Sequence, residues 1–259
     1  MHLKPRCPLL LLEINNMKLP KIMALCESVL RQITLGALLA GLAGCAGVAA
    51  PPRSSVPALP ALAPLVTTGA THYVILSDLS DVRFLVYRRG PLAAFGHNHV
   101  IRAGSVRGDI YLNHNFELSG FALTLPVAGF RVDEPADRAV EGAAFATQPP
   151  AAAIAGTVKH MLGPAVLDAA RYPDIRVRSV GLVGPEWGPE VTIRIELRGT
   201  HRELTVPIAL NKCGERLTAT GTFQFRQADF GIKPFSILGG GLRVADTVTV
   251  RFHIIAQRS

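Results

Sequence analysis

The residues with the clearest chemical potential are the two histidines of Gly96-His97-Asn98-His99. On an extended chain, residues two apart point to the same face, so both imidazoles would converge, as in metal sites where His-x-His supplies two ligands. Two ligands do not complete a site. A third would come from His114, His201, His253 or an acid, and no spacing selects one of them. The alternatives are a structural pair, a contact to the polar head of a ligand, or a catalytic role; imidazole donors suit a phosphate or quinone head at the mouth of a pocket. A metal-binding or redox-assisting protein using His97 and His99 is therefore one reading of the chain.

The other reactive residue is Cys45, at the end of Leu42-Ala43-Gly44-Cys45. Residues 17–45 have the build of an export signal. Lys18, Lys21 and Arg31 give it a positive start, and an apolar core runs from Ile33 to Ala43. That core is too short to span a bilayer stably. Its end resembles a bacterial lipoprotein cleavage box, in which the cysteine thiol accepts diacylglycerol and the freed amine is acylated after cleavage. Several acyl chains give lasting membrane attachment where one would be marginal. Residues 1–16 fit neither a signal nor a domain, which puts the start of the protein at Met17 and makes 1–44 a doubtful extension plus signal peptide. Ala46 follows the cysteine, and that position carries no inner-membrane retention signal. The expected address is the periplasmic side of the envelope, anchored through Cys45 to the outer membrane.

Other catalytic patterns are missing. The sequence has no Gly-x-Ser-x-Gly elbow, phosphate-cradling glycine loop or dinucleotide fingerprint. Gly239-Gly240-Gly241 has no Lys-Ser/Thr after it. No enzyme class is indicated. Cys7, Cys26, Cys45 and Cys213 form no C-x-x-C pair, and Cys213 reads as a bystander.

The chain has 259 residues and a formal charge of +8, but five of its bases and two of its acids precede Cys45. From Cys45 onward 22 bases stand against 17 acids, a net of +5. The bases are mostly arginines at alternating strand positions, such as Arg176, Arg178, Arg194 and Arg198, with no basic stripe interleaved with aromatics. That pattern fits a solvated sheet face and gives no nucleic-acid surface.

Residues 45–70 are rich in alanine and proline (Pro51, Pro52, Pro57, Pro60, Pro64), a semi-rigid spacer of ~3 Å per residue. From 71 to 259 the chain is one domain dominated by period-two alternation, the mark of half-buried strands. Val82, Phe84 and Val86 alternate with Arg83, Leu85 and Tyr87; Val106 to Leu112 and Phe121 to Leu125 follow in the same manner. So do Ile175–Val177, Val191–Leu197, Leu204–Leu210, Leu217–Phe225 and Val248–Ile254. The stretch 133–172 breaks the pattern: Asp133-Glu134-Pro135 is a breaker, and Val158, Met161 and Leu162 share one helical face. The fold class is all-β, an antiparallel barrel of about eight strands with a short helical insertion. Closure removes exposed edges.

Three segments bring a family into view. They are Pro173-Asp174-Ile175 with Ser179; Leu197-Arg198-Gly199-Thr200 running into Leu204-Thr205-Val206-Pro207; and Phe225-Arg226-x-x-Asp229-Phe230-Gly231-Ile232 followed by Val244-Ala245-Asp246-x-Val248. In order and spacing they resemble the YceI-like proteins, over residues 72–256. The resemblance implies a lipocalin-like barrel, exported to the bacterial envelope, that binds a polyisoprenoid chain. The ligand would then be an isoprenoid-type or other amphiphilic lipid, and no other cofactor is implied. Candidate wall residues are Phe84, Val86, Ile110, Phe121, Leu123, Ile193, Ile195, Phe223, Phe225 and Phe252. Parity alone cannot separate a cavity wall from a filled core.

Overall fold

A computed structural model describes residues 59–259. The stretch read as an export signal, Cys45 and the proline-rich start of the expected spacer lie outside the described residues. The strands are β1 (Ala70–Ile75), β2 (Asp81–Arg89), β3 (His99–Arg102), β4 (Arg107–Asn113), β5 (Gly120–Pro126) and β6 (Arg131–Val132). After the insertion come β7 (Asp174–Val183), β8 (Glu190–Leu197), β9 (Thr200–Pro207), β10 (Ala209–Cys213), β11 (Arg216–Arg226), β12 (Ser236–Ile237) and β13 (Leu242–Arg258). Every pairing is antiparallel.

The strand segments outnumber the eight expected because several share one position in the sheet. The hydrogen-bonded path runs β10-β11-β13-β1-β4-β5-β7-β8-β9. Its two ends are one chain, since β10 follows β9 across the single residue Ile208. The long β13 carries β11 along one edge, with Arg216 opposite Gln257 and Arg226 opposite Thr247. Its other edge is split between β2, opposite 243–253, and β1, opposite 256–258. Strands β3 and β6 extend the sheet outward from β2. The turn between β8 and β9 is Arg198-Gly199, with φ of 53° and 69°. Two left-handed residues in succession match the twist of the flanking strands, which is why this hairpin closes in two residues.

The inward rows form one apolar core. Val82, Ile175, Ile193, Ile195, Leu197, Val206, Val250 and Ile254 are buried in it, contributed by strands from all round the sheet. The insertion contains helices α1 (Pro135–Ala139) and α2 (Ala151–Leu162). Met161 of α2 is buried in the core, with Ile154, Val158 and Leu162 packed against it. That is the helical face expected from the sequence. No helix among the described residues is long and apolar enough to cross a membrane.

Two features depart from the one-face-wet expectation. Strand β2 is buried on both faces: Val82 faces the main core, while Leu85 packs with Val100 and Phe145 in a second cluster. Phe145 comes from the insertion, so 133–149 covers the outer face of β2 and β3. The last part of the presumed spacer also lies on the sheet. Arg194 Nη1 donates to Pro60 O at 2.5 Å, and Arg178 donates to Ala63 O. Prolines lack N–H groups but keep their carbonyls, so an extended proline-rich segment can still accept bonds from sheet-face arginines.

Candidate functional site: an apolar cavity and a histidine end-piece

Inside the sheet is a cavity of about 110 Å³ whose wall is apolar throughout. Phe84, Ile110, Phe121, Leu123, Ile193, Ile195, Phe223, Phe225 and Phe252 all line it. Val86, from the same row of β2, does not; it is half-buried in the adjoining core. The wall also takes in residues not singled out from the sequence, among them Ile175, Val177, Val206, Ala219, Val250 and Ile254. Their signal was present, since each shares the inward parity of its strand.

The wall has two characters. Ile175, Ile193, Ile195, Leu197, Val206 and Val250 are buried, whereas Phe84, Phe121, Phe223, Phe225 and Phe252 are only half-buried although they face inward. Inward side chains with residual exposure border empty space rather than neighbouring atoms. Gly221 accounts for one ring: a Cβ there would lie 2.5 Å from Phe252 Cζ. Its missing side chain lets the Phe252 ring lie across β11. Phe223 and Phe252 face each other at 6.4 Å between centroids, and Phe225 meets Phe230 edge-on at 5.4 Å.

At one end of the inward row sits the histidine motif. His99 lies opposite Val86 in the β2–β3 ladder, two positions beyond the Ile101–Phe84 pair, so by parity it continues the cavity-facing row. Its Nδ1 is 2.6 Å from Asp133 Oδ2. With a carboxylate as acceptor, Nδ1 carries the proton and Nε2 is left as the ring's remaining donor or acceptor. Asp133 is 1% exposed and has a φ of 57°, an αL conformation that Asp tolerates better than most side chains. Its Oδ1 accepts the Val100 N–H at 3.0 Å and the guanidinium of Arg138, itself 4% exposed. Burial alone would push the Asp133 carboxyl up. The bond from His99, the Val100 N–H and the charges of His99 and Arg138 outweigh burial and hold it below the ordinary value.

Arg138 also donates to Asn98 O at 2.8 Å and stands over the Phe145 ring at 5.9 Å. Asn98 is held at both ends of its amide, donating to Ala144 O at 2.8 Å and accepting the Arg88 N–H at 2.9 Å. The middle residue of His-Asn-His is thus the bolt between β2 and the insertion. The His97 and His99 rings lie 6.5 Å apart, edge to face. Among the described residues, no group of three His, Cys, Asp or Glu is placed to share a metal. The sequence reading missed Asp133 and Arg138, because Asp133 was legible only as part of a break in the strand pattern. Cys213 is exposed and free.

The family follows from comparison with known proteins. A model of the YceI-like domain matches residues 73–256. The chain belongs to the YceI-like family. No curated protein sequence matches it. Among solved structures, Burkholderia cenocepacia BcnA superposes with a TM-score of 0.53 at 15% identity, over 71% of this chain and 99% of that one. A polyisoprenoid binding domain from Saccharophagus degradans, implicated in plant cell wall breakdown, superposes with a TM-score of 0.50 at 12% identity, over 72% and 98%. At these identities the two structures establish the shared fold, an antiparallel β architecture with short helices.

Proposed function

We propose that this YceI-like protein is an envelope lipid-binding protein that holds an isoprenoid-type or other amphiphilic lipid inside the barrel. The observation that carries this reading is the wholly apolar cavity with its half-buried phenylalanines. Such a slot offers a hydrocarbon chain roughly 25 cal/mol for each Å² taken out of water, and offers a polar ligand nothing. The resting cavity, at 110 Å³, is smaller than the ~150 Å³ engineered cavity that admits benzene. A prenyl chain therefore enters by swinging the phenylalanines aside, and the buried aliphatic wall stays put. The polar head rests at the His97–His99 end, where the His99 Nε2 is free to bond it.

Export and acylation of Cys45 complete the proposal: they place the barrel on the periplasmic side of the envelope, attached to the outer membrane. Membrane and lipid ligand are the partners, and nothing in the surface pattern favours nucleic acid. The test is intact and native mass spectrometry of the full chain purified from membranes of a bacterial host. The expected result is a mature chain starting at Cys45 with acyl mass, plus a non-covalent lipid released on denaturation. A mature chain without acyl mass removes the anchor; a protein that neither carries nor takes up lipid removes the carrier role.

A further inference from the structure

A second cleft lies on the outer face of the sheet, away from the cavity. It is open, about 920 Å³, and is lined by Tyr87 and Arg89 of β2, Arg243, Thr247 and Thr249 of β13, and Lys233 and Ser236 of the 233–237 segment, among others. Arg89 and Arg243 stand directly opposite each other in the ladder. Like charges in that relation destabilise a sheet.

Elsewhere on the same strands the protein neutralises such pairs. Arg251, Arg83 and Arg102 form a cross-strand row on β13, β2 and β3. Glu141 accepts from Arg83 at 3.2 Å and Arg251 at 2.7 Å, and Asp137 accepts from Arg102 at 3.0 Å. Farther along, Arg178 and Arg194 have Glu203 and two backbone carbonyls. Arg89, Arg243 and Lys233 have no ion pair or side-chain hydrogen bond among the described residues. The acid lining this cleft, Asp246, is already taken by Arg226 Nε and the Ala228 N–H, both at 2.8 Å.

The backbone holds the charges together. The register shifts between Val244 and Val248, a bulge that re-aims side chains. Gly90, at φ 101°, lets its turn press onto the Gly241 carbonyl, which a Cβ would approach to 2.4 Å. Leu92 N–H donates to that carbonyl at 2.8 Å, and Val244 N–H donates to Phe235 O at 2.9 Å. Neutral donors are present as well. Thr249 Oγ1 accepts from Gln224 at 3.1 Å, so its own proton is free to donate outward. Two guanidinium forks and an ammonium, three positive charges beside the already paired carboxylate of Asp246, together with hydroxyls suit a multiply charged phosphate better than a single carboxylate.

We propose that this outer cleft binds a phosphate-bearing ligand, with Arg89, Arg243 and Lys233 as its cationic donors. The site is independent of what the barrel interior holds. The full chain carrying Cys45→Ser, which removes any acyl anchor, is titrated calorimetrically with inorganic pyrophosphate at constant ionic strength. It is also floated with phosphatidylcholine vesicles with and without phosphatidylglycerol. Saturable pyrophosphate binding, weakened at least tenfold in Arg89→Gln/Arg243→Gln while that variant keeps its melting temperature, supports the site. Flotation that needs phosphatidylglycerol and is lost in the double variant assigns the phosphate to a lipid headgroup; pyrophosphate binding without it assigns a soluble ligand. Absence of both, equal binding by the double variant, or equally tight binding of citrate overturns the proposal.

Discussion

The two sides of β2 solve opposite problems. On the inner side, Val82 and Phe84 join a wall with no polar group and leave space unfilled. Around β3 and the insertion, Asp133 and Arg138 are nearly sealed from solvent and bonded to each other, to His99 and to the surrounding backbone, although the Arg138 Nε has no partner among the described residues. The first region tolerates adjustment because apolar contacts are non-directional. The second does not, because removing one member strands a buried charge. The proposed lipid-binding role would use both: walls that yield to a chain, and a fixed frame that keeps the end of the slot in place.

The largest effect separating the two regions is expected at Asp133. Asp133→Asn leaves Arg138 buried without its counter-charge and is predicted to lower unfolding free energy by about 3–5 kcal/mol, read by denaturant melts at pH 7. The pH dependence has a definite sign. The folded carboxyl lies below its ordinary value of 3.8, so its stabilisation is complete above the unfolded value and drains away as pH falls through the folded one. The gap between wild type and Asp133→Asn should therefore be flat above about pH 5 and narrow below about pH 4. A gap that widens in acid would contradict the assignment.

A smaller effect tests the yielding wall. Ala219→Leu adds bulk at the cavity wall. Stability should change by less than about 1.5 kcal/mol, because the added methylenes enter empty space. Uptake of a prenyl lipid should fall at least tenfold in a fluorescence displacement titration. Unchanged uptake would place the ligand elsewhere. The smallest effect is expected at His97, whose ring has no hydrogen bond among the described residues. His97→Ala should stay within about 0.5 kcal/mol of wild type. His99→Ala, which strips a bond from buried Asp133, should cost about 1–3 kcal/mol. Metal analysis of untagged protein, run beside these variants, checks the metal reading; metal bound by wild type and lost in His97→Ala would support it.

Much of this comparison was legible beforehand. Inward parity named Phe84, Ile110, Phe121, Phe223 and Phe252 because a strand's period of two repeats locally and needs no knowledge of partners. The same rule misplaced Val86, since parity assigns a face but not how far the cavity extends along it. The burial of Leu85 and Val100 was not legible: it depends on Phe145, far along the chain in the insertion, folding back over β2. Likewise Asp133, sitting in a breaker beside Pro135, gave no hint that a left-handed backbone would aim it at His99. The final residues of the stretch read as a semi-rigid spacer are bonded by Arg178 and Arg194 through carbonyls that composition does not reveal.

The central claim is that the barrel interior takes up a hydrocarbon chain by moving its phenylalanines. The most direct measurement is native mass spectrometry of the delipidated chain titrated with a long-chain polyprenyl lipid, wild type beside Ala219→Leu. The account predicts one lipid per wild-type chain and little or none on the variant. Equal occupancy of both, or no occupancy of either, would contradict it.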